Sequence, residues 1–194
     1  TSAIVAGKQS DTGDFINRKR LVQLMAFYGL CTYLVIIVSF NLPFLMEEYH
    51  FSSGNSGIMI SLFFLAIMTP GLFLNQIIGW WKQRTEFYSL LCIAVGLGLI
   101  ILSRSEWWIG LGCLFAGFGY GVIQPVVYDK TTRTASSRKV TLALAFVMAM
   151  NYLAILLCPF IIDWAGFIFR VHTQQFAFIF NLVVTVLAAG WAYW

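Results

Sequence analysis

The chain has 194 residues, of which 60% are hydrophobic and 10% are charged, and its mean hydropathy is +0.82. These values exclude a soluble helical bundle, because its helices would need a charged outer face. They also leave no water-exposed basic face for a nucleic-acid partner. We therefore expect an all-α, polytopic membrane protein whose surroundings are the lipid bilayer.

The first twenty residues differ from the rest. Residues 1–20 are polar and end in the run Asn17-Arg18-Lys19-Arg20. A signal peptide would place its charges before a shorter apolar region than the one that follows here. We interpret residues 1–20 as a cytoplasmic linker attached to something longer, and residues 21–194 as a transmembrane bundle.

Six apolar runs follow the linker, each with about 17 or more residues, which is enough to cross a bilayer as a helix. They cover residues 21–46, 55–81, 87–103, 107–128, 140–168 and 176–194. The sequence therefore predicts six transmembrane spans.

Every proline lies within one of these runs. Pro43, Pro70, Pro125 and Pro159 fall in the first, second, fourth and fifth spans. Proline in a membrane helix frees a backbone carbonyl that lipid cannot bond, so such helices are expected inside a protein and kinked. The pattern repeats after three spans, and an odd number of spans inverts the second triplet. Two inverted three-helix repeats are typical of transporters.

Basic residues predict the orientation. Ten of the twelve lysines and arginines lie before the first span or in the loops after the second and fourth, and only Arg104 and Arg170 lie in the other loops. Loops rich in lysine and arginine tend to lie on the cytoplasmic side of a membrane. We therefore expect a protein of the cell (inner) membrane with both termini in the cytoplasm.

Polar side chains form stripes on corresponding spans. The first span carries Tyr28, Thr32, Val35 and Ser39 on one face, and the fourth carries Cys113, Gly117, Tyr120, Gln124 and Tyr128. The second carries Ser61, Met68, Leu72, Asn75 and Gln76, and the fifth carries Thr141, Met148, Tyr152, Pro159 and Asp163. The third and sixth spans hold few polar residues, among them Asn181 and Thr185, and are expected to face lipid.

These stripes predict a shared polar path for a substrate. Its expected lining is Tyr28, Thr32, Ser39, Tyr120, Gln124, Met148 and Tyr152. A structural alternative stays open, in which the hydroxyl groups only bond across helix contacts and hold the bundle together.

The sequence indicates neither a metal site nor a cofactor. Its cysteines, Cys31, Cys92, Cys113 and Cys158, lie singly within spans and are interpreted as small packing residues. The run Gly54-Asn55-Ser56-Gly57 matches a motif of intramembrane serine proteases, but both histidines lie in predicted outer loops. The chain is not expected to be an enzyme.

Glycines in the fourth span carry a family resemblance. Gly117 and Gly121 form a G-x-x-x-G motif, which lets another backbone approach closely. The run from Gly117 to Pro125 resembles the glycine-rich, proline-ended fourth helix in either half of major facilitator superfamily transporters. The turn from Gly79 to Arg84 is similar to that family's loop between its second and third helices, although the usual aspartate is absent, as is commoner in C-terminal halves.

The resemblance implies the C-terminal half of a secondary transporter that moves a small solute by alternating access. In such a half, the first and fourth helices line the cavity, and the third and sixth support the bundle from outside. The second and fifth helices face a second six-helix half, which lies earlier in the same parent chain. The aromatic, weakly polar lining resembles exporters of amphipathic compounds more than sugar permeases. The alternative is a non-transporting binding, assembly or sensor module. Asp129 and Asp163 lie near span ends, where capping or pairing with Lys130 or Arg170 is expected.

Overall fold

The structure is a computed structural model that describes residues 15–81, 84–102, 104–171 and 173–193. Within these ranges the chain is helical, apart from short connections and an isolated antiparallel bridge between Ile16 and Ala135. Its helices are α1 (Arg18–Glu48), α2 (Ser53–Met68), α3 (Pro70–Trp81), α4 (Thr85–Leu102), α5 (Glu106–Thr132), α6 (Val140–Phe169) and α7 (Gln174–Tyr193).

The helices account for five or six spans. Five of them, α1, α4, α5, α6 and α7, are each long and apolar enough to cross a membrane. Helices α2 and α3 meet the same criteria only as a pair, bent by 56° at a short break, and count as the sixth span when the pair is taken as one. The prediction of an all-α polytopic fold is therefore confirmed, with helix ends close to the predicted ones.

The break in the second span is sharper than the sequence analysis expected. Residues 55–81 were predicted as one span with Pro70 inside it, whereas α2 ends at Met68 and Pro70 is the first residue of α3. Proline is well suited to a first helical position because it lacks the amide hydrogen that would otherwise find no partner there. The Thr69 hydroxyl donates to the Leu65 carbonyl at 2.9 Å and so closes the preceding turn. The other prolines lie within α1, α5 and α6.

Helix contacts repeat with the predicted offset of three spans. Helix α1 packs against α6 in the way that α5 packs against α2, and α7 contacts α1 as α4 contacts α5. Corresponding helices of the two triplets also contact each other, α1 with α5 and α4 with α7. This pattern is the one expected of two inverted three-helix repeats.

Both ends of the bundle are tied by hydrogen bonds. At the end where α1 begins, which we call the basic end, Asn17 N–H donates to the Thr134 carbonyl at 2.9 Å. At the opposite end, the backbone N–H of Gln174 donates to the Glu48 carboxylate at 3.0 Å, and the Asn55 side-chain amide donates to the Glu106 carboxylate at 2.7 Å. The Asn55 side chain thus joins α2 to α5.

Close contact between α5 and α2 depends on two glycines. A Cβ atom at Gly117 would lie well inside 3.0 Å from the Phe63 carbonyl, and one at Gly121 would lie equally close to the Ile67 carbonyl. Since both neighbours are backbone atoms, a larger side chain would push the helices apart. The G-x-x-x-G motif therefore lies directly at a helix contact.

The third and sixth spans turn their few polar groups inward. Ser89 on α4 and Asn181 and Thr185 on α7 are fully buried. The outward faces of these helices carry apolar side chains such as Val95 and Leu187. Burying the polar groups leaves an apolar surface outside, as a lipid-facing helix requires.

Substitution of Gly121 by alanine tests the close contact. We expect Gly121→Ala to destabilise the fold by about 1–3 kcal/mol, since the added methyl group overlaps the α2 backbone. Thermal unfolding in detergent measures the change. The matched control is Gly98→Ala on α4, where an added Cβ has nothing within 4 Å. Equal unfolding midpoints for the two variants would contradict the proposed role of this contact.

Candidate functional site: a polar cluster between three spans

Three tyrosines form the aromatic part of a polar cluster between α1 and α5. The rings of Tyr28 and Tyr120 are stacked, with centroids 6.1 Å apart, and Tyr128 meets Tyr28 edge-on at 5.7 Å. Their hydroxyl groups are also close, at 3.3 Å between Tyr28 and Tyr128 and 3.4 Å between Tyr120 and Tyr28. The polar stripes predicted on the first and fourth spans therefore meet where α1 contacts α5.

Asn151 joins the third helix of the cluster, α6. Its side-chain oxygen accepts hydrogen bonds from the Thr32 hydroxyl at 2.6 Å and from the Tyr120 hydroxyl at 3.0 Å. Thr32 and Tyr120 are themselves 2.8 Å apart. Because each hydroxyl has a single proton, the Tyr120 proton is shared among several acceptors. The amide oxygen of Asn151 thus links α1, α5 and α6 at one point.

Helical spacing explains why Asn151 faces inward. Val147, Ala154 and Cys158 are buried on α6, and Asn151 lies between them at intervals of three and four residues. That spacing places all four on one face of the helix. This face packs against α1, where Met150 also lies over Gly29.

Gln124 extends the cluster towards the basic end. Its amide nitrogen donates to the Tyr128 hydroxyl at 3.4 Å, one turn further along α5. Both side chains are half-buried, and Pro125 lies next to them within the helix. An amide beside a hydroxyl offers a donor and an acceptor to a ligand.

The two sides of the cluster differ in exposure. Tyr28 is only 1% exposed and Thr32 only 3%, so both are enclosed within the bundle. Tyr120 and Gln124 are half-buried and form the outer side. The more accessible side of the cluster therefore carries Tyr120 and Gln124, and its enclosed side carries Tyr28 and Thr32.

Ser39 lies two turns beyond Thr32 on α1. It is half-buried, and its hydroxyl has no hydrogen-bond partner among the described residues. A serine in a helix usually bonds to the carbonyl four residues earlier. The predicted stripe thus continues past the hydrogen-bonded cluster with an unpaired hydroxyl group.

Met148 and Tyr152 do not join the cluster. Both side chains are exposed on α6, Tyr152 by 69%. Successive residues of a helix differ by about 100°, so Asn151 points inward where Tyr152 points outward. The sequence analysis chose Tyr152 and missed Asn151, although an amide in the middle of an apolar span is itself a signal of function.

The second and fifth spans carry matching exposed faces. Every residue of their predicted stripes is exposed: Ser61, Met68, Leu72, Asn75 and Gln76 on one, and Thr141, Met148, Tyr152, Pro159 and Asp163 on the other. The two spans occupy equivalent places in the repeat. These faces are called the α2/α3 face and the α6 face below.

Charged side chains pair at the basic end. Lys130 Nζ lies 2.7 Å from Glu86 Oε1, which connects α5 to α4, and Arg133 lies 2.9 Å from Asp129. Asp129 was expected to cap its helix or to pair with Lys130, but it pairs with Arg133, one helical turn away on the same face, and Lys130 pairs with Glu86. Within the described ranges no three His, Cys, Asp or Glu residues are grouped as metal ligands.

A double-mutant cycle tests the link between α1 and α6. Thr32→Val and Asn151→Leu each remove one side of their hydrogen bond, and we expect the pair to show a coupling free energy of about 0.6–1.7 kcal/mol, the range for bonds between membrane helices. Unfolding in detergent provides the free energies. The control cycle combines Thr32→Val with Tyr152→Leu, which should be additive. Equal coupling in both cycles would contradict the assigned bond.

Comparison with known proteins agrees with this architecture. The sequence profile described as Major Facilitator Superfamily matches residues 14–194, which is nearly the whole chain. No curated protein matches the sequence. Members of the matched family are transporters that cross the membrane several times. This match over nearly the whole chain, together with the five or six candidate spans, shows that the chain belongs to the major facilitator superfamily.

Proposed function

We propose that this chain is the C-terminal half of a secondary active transporter that moves a small solute by alternating access. Its partner would be a second six-helix half, placed earlier in the same parent chain. The observation that carries the proposal is the exposure of the α2/α3 face and the α6 face at equivalent places in the repeat. Rocking of two such bundles about a midplane site is the mechanism that inverted repeats support.

Lipid is a poor neighbour for both faces. Asn75 and Gln76 on α3, and Asp163 on α6, are exposed side chains that would lose hydrogen bonds in a hydrocarbon environment. The second and fifth spans also expose many apolar side chains, such as Leu65 and Phe160, but the exposed side chains described on α4 and α7 include no amide or carboxylate at all. This contrast favours protein or water, and not lipid, against the second and fifth spans.

The polar cluster is the proposed substrate path of this half. Tyr120 and Gln124 would contact the solute, while Tyr28 and Thr32 hold them in position from behind, and Ser39 offers a further hydroxyl. Met148 and Tyr152 would reach the solute only where the α6 face and the second half enclose the path.

The solute is proposed to be a small amphipathic compound that the protein exports. Tyrosine rings offer apolar and quadrupolar surfaces, and the hydroxyl and amide groups beside them are neutral. Such a lining binds a compound with an apolar body and a few polar groups without a counter-charge.

Orientation is proposed from the charge distribution. The basic end carries Arg18, Arg20, Lys130, Arg133 and Arg138. The positive-inside bias then places this end, and both termini, in the cytoplasm of a cell whose inner membrane contains the protein.

Photo-crosslinking in the intact parent protein tests the two-half proposal. A benzoylphenylalanine introduced in place of Leu72 or Tyr152, which are 80% and 69% exposed, should crosslink to the second half. A protease site inserted within residues 1–14 then separates the halves. On a denaturing gel, crosslinked halves should stay joined after cleavage.

The matched control is the same photo-reactive residue at position 187, where the leucine is 68% exposed on α7. It should give no crosslink between halves, because α7 is expected to face lipid. If positions 72 and 152 behave like position 187, the two-half arrangement is wrong. A crosslink to a separate protein would instead favour the assembly-module alternative.

Thiol labelling tests the path. In a cysteine-free parent protein, Gln124→Cys and Tyr120→Cys should react with a charged, membrane-impermeant methanethiosulfonate, because a path admits water. The control is Phe115→Cys on the same helix, whose exposed side chain lines a separate apolar pocket between α2, α4 and α5. Similar labelling at positions 115 and 124 would contradict the path.

The amphipathic dye ethidium should slow labelling at position 124, and no slowing would argue against an amphipathic solute.

A further inference from the structure

A small cavity at the basic end combines charged and apolar walls. It has a volume of about 220 Å³ and lies between α1, α4, α5 and α7. Its lining includes Arg20, Gln23, Phe27, Glu86, Lys130 and Trp191. The cavity is separate from the polar cluster, whose residues do not line it.

Its polarity changes with depth. Arg20 lies in the first turn of α1, whereas Phe27 lies seven residues further along, about 10 Å deeper at the rise of an α-helix. Trp191 is near the end of α7 and is largely exposed. The cavity therefore has a charged rim and an apolar floor, as expected for a site that holds an amphiphile at the membrane surface.

Its charge favours an anion. Two cations, Arg20 and Lys130, and one carboxylate, Glu86, belong to the lining. The Lys130 ammonium is 2.7 Å from the Glu86 carboxylate, so this pair largely neutralises itself. The guanidinium of Arg20 then supplies the excess positive charge, and its planar donors match the oxygens of a phosphate group.

We propose that this cavity binds the phosphate head group of an anionic phospholipid, with one acyl chain along Phe27 and Trp191. Basic pockets between membrane helices are suited to such head groups. Inorganic phosphate would gain the charge interaction but nothing from the apolar floor, which is why the structure points to a lipid. The site does not depend on the proposed transport function.

Native mass spectrometry of the purified parent protein tests the site. With phosphatidylglycerol and phosphatidylcholine supplied in equal amounts, we expect preferential retention of phosphatidylglycerol. Arg20→Gln should lower its affinity about tenfold, the loss expected from one charge-assisted hydrogen bond. Arg20→Lys keeps the charge without the planar fork and should lose less.

The matched control is Arg138→Gln. Arg138 is an exposed arginine at the same end and outside the cavity, so its loss should leave phosphatidylglycerol binding unchanged. Equal losses in the Arg138 and Arg20 variants would show a general surface-charge effect and overturn the proposal. Phe27→Ala should also weaken retention, because it removes the apolar floor.

Inorganic phosphate distinguishes the two sources of the same chemistry. Millimolar phosphate should not displace phosphatidylglycerol from the wild-type protein. Full displacement, or equal retention of phosphatidylcholine, would overturn the lipid assignment. Unchanged thermal unfolding of the Arg20→Gln protein in lipid-free detergent would show that its reduced binding does not come from misfolding.

Discussion

Close approach of α5 to its neighbours is the constraint on which the rest of the structure depends. Glycines at 117 and 121 let the α5 backbone touch that of α2, and Gly119 lies against the Ser89 carbonyl of α4. The glycine contacts therefore fix the position of α5 between α2 and α4. Tyr120 and Gln124 project from α5 away from these glycine contacts, so the packing of α5 sets where the polar cluster forms.

The membrane makes this cluster more demanding than it would be in water. A polar group without a partner is costly in a low-dielectric environment, so a hydroxyl on a span needs a partner, either a carbonyl one turn earlier on its own helix or a group on another span. The Asn151 oxygen meets that need for both Thr32 and Tyr120. The same bonds would hold the three spans together during any rigid-body motion. A structural role and the proposed role in the path are therefore compatible, with Tyr28 and Thr32 serving the first and Gln124 proposed for the second.

Much of the fold could be predicted because hydropathy and length are properties of single segments. The spans and the stripes on the first and fourth helices depend on spacing within one helix, and the proline pattern that recurs after three spans is read from their order along the chain. The break at Pro70 could not be predicted in the same way, since Pro43, Pro125 and Pro159 occupy similar contexts and stay within helices. Whether a proline bends or ends a helix depends on the neighbours that its freed carbonyl meets.

The site was predicted in part for a related reason. Spacing shows which residues share a face, but it does not show which helix that face meets. On α6 the sequence analysis placed the stripe through Tyr152 on the substrate path, but it did not show that the stripe through Asn151 is the one that packs on α1. The pairing of Glu86 with Lys130 was missed because it joins residues on different helices. The equivalent exposed faces of the second and fifth spans gain their meaning only from the symmetry of the bundle. A polar stripe on one exposed helix is ordinary, but stripes at both equivalent places of the repeat are the observation on which the proposed second half rests.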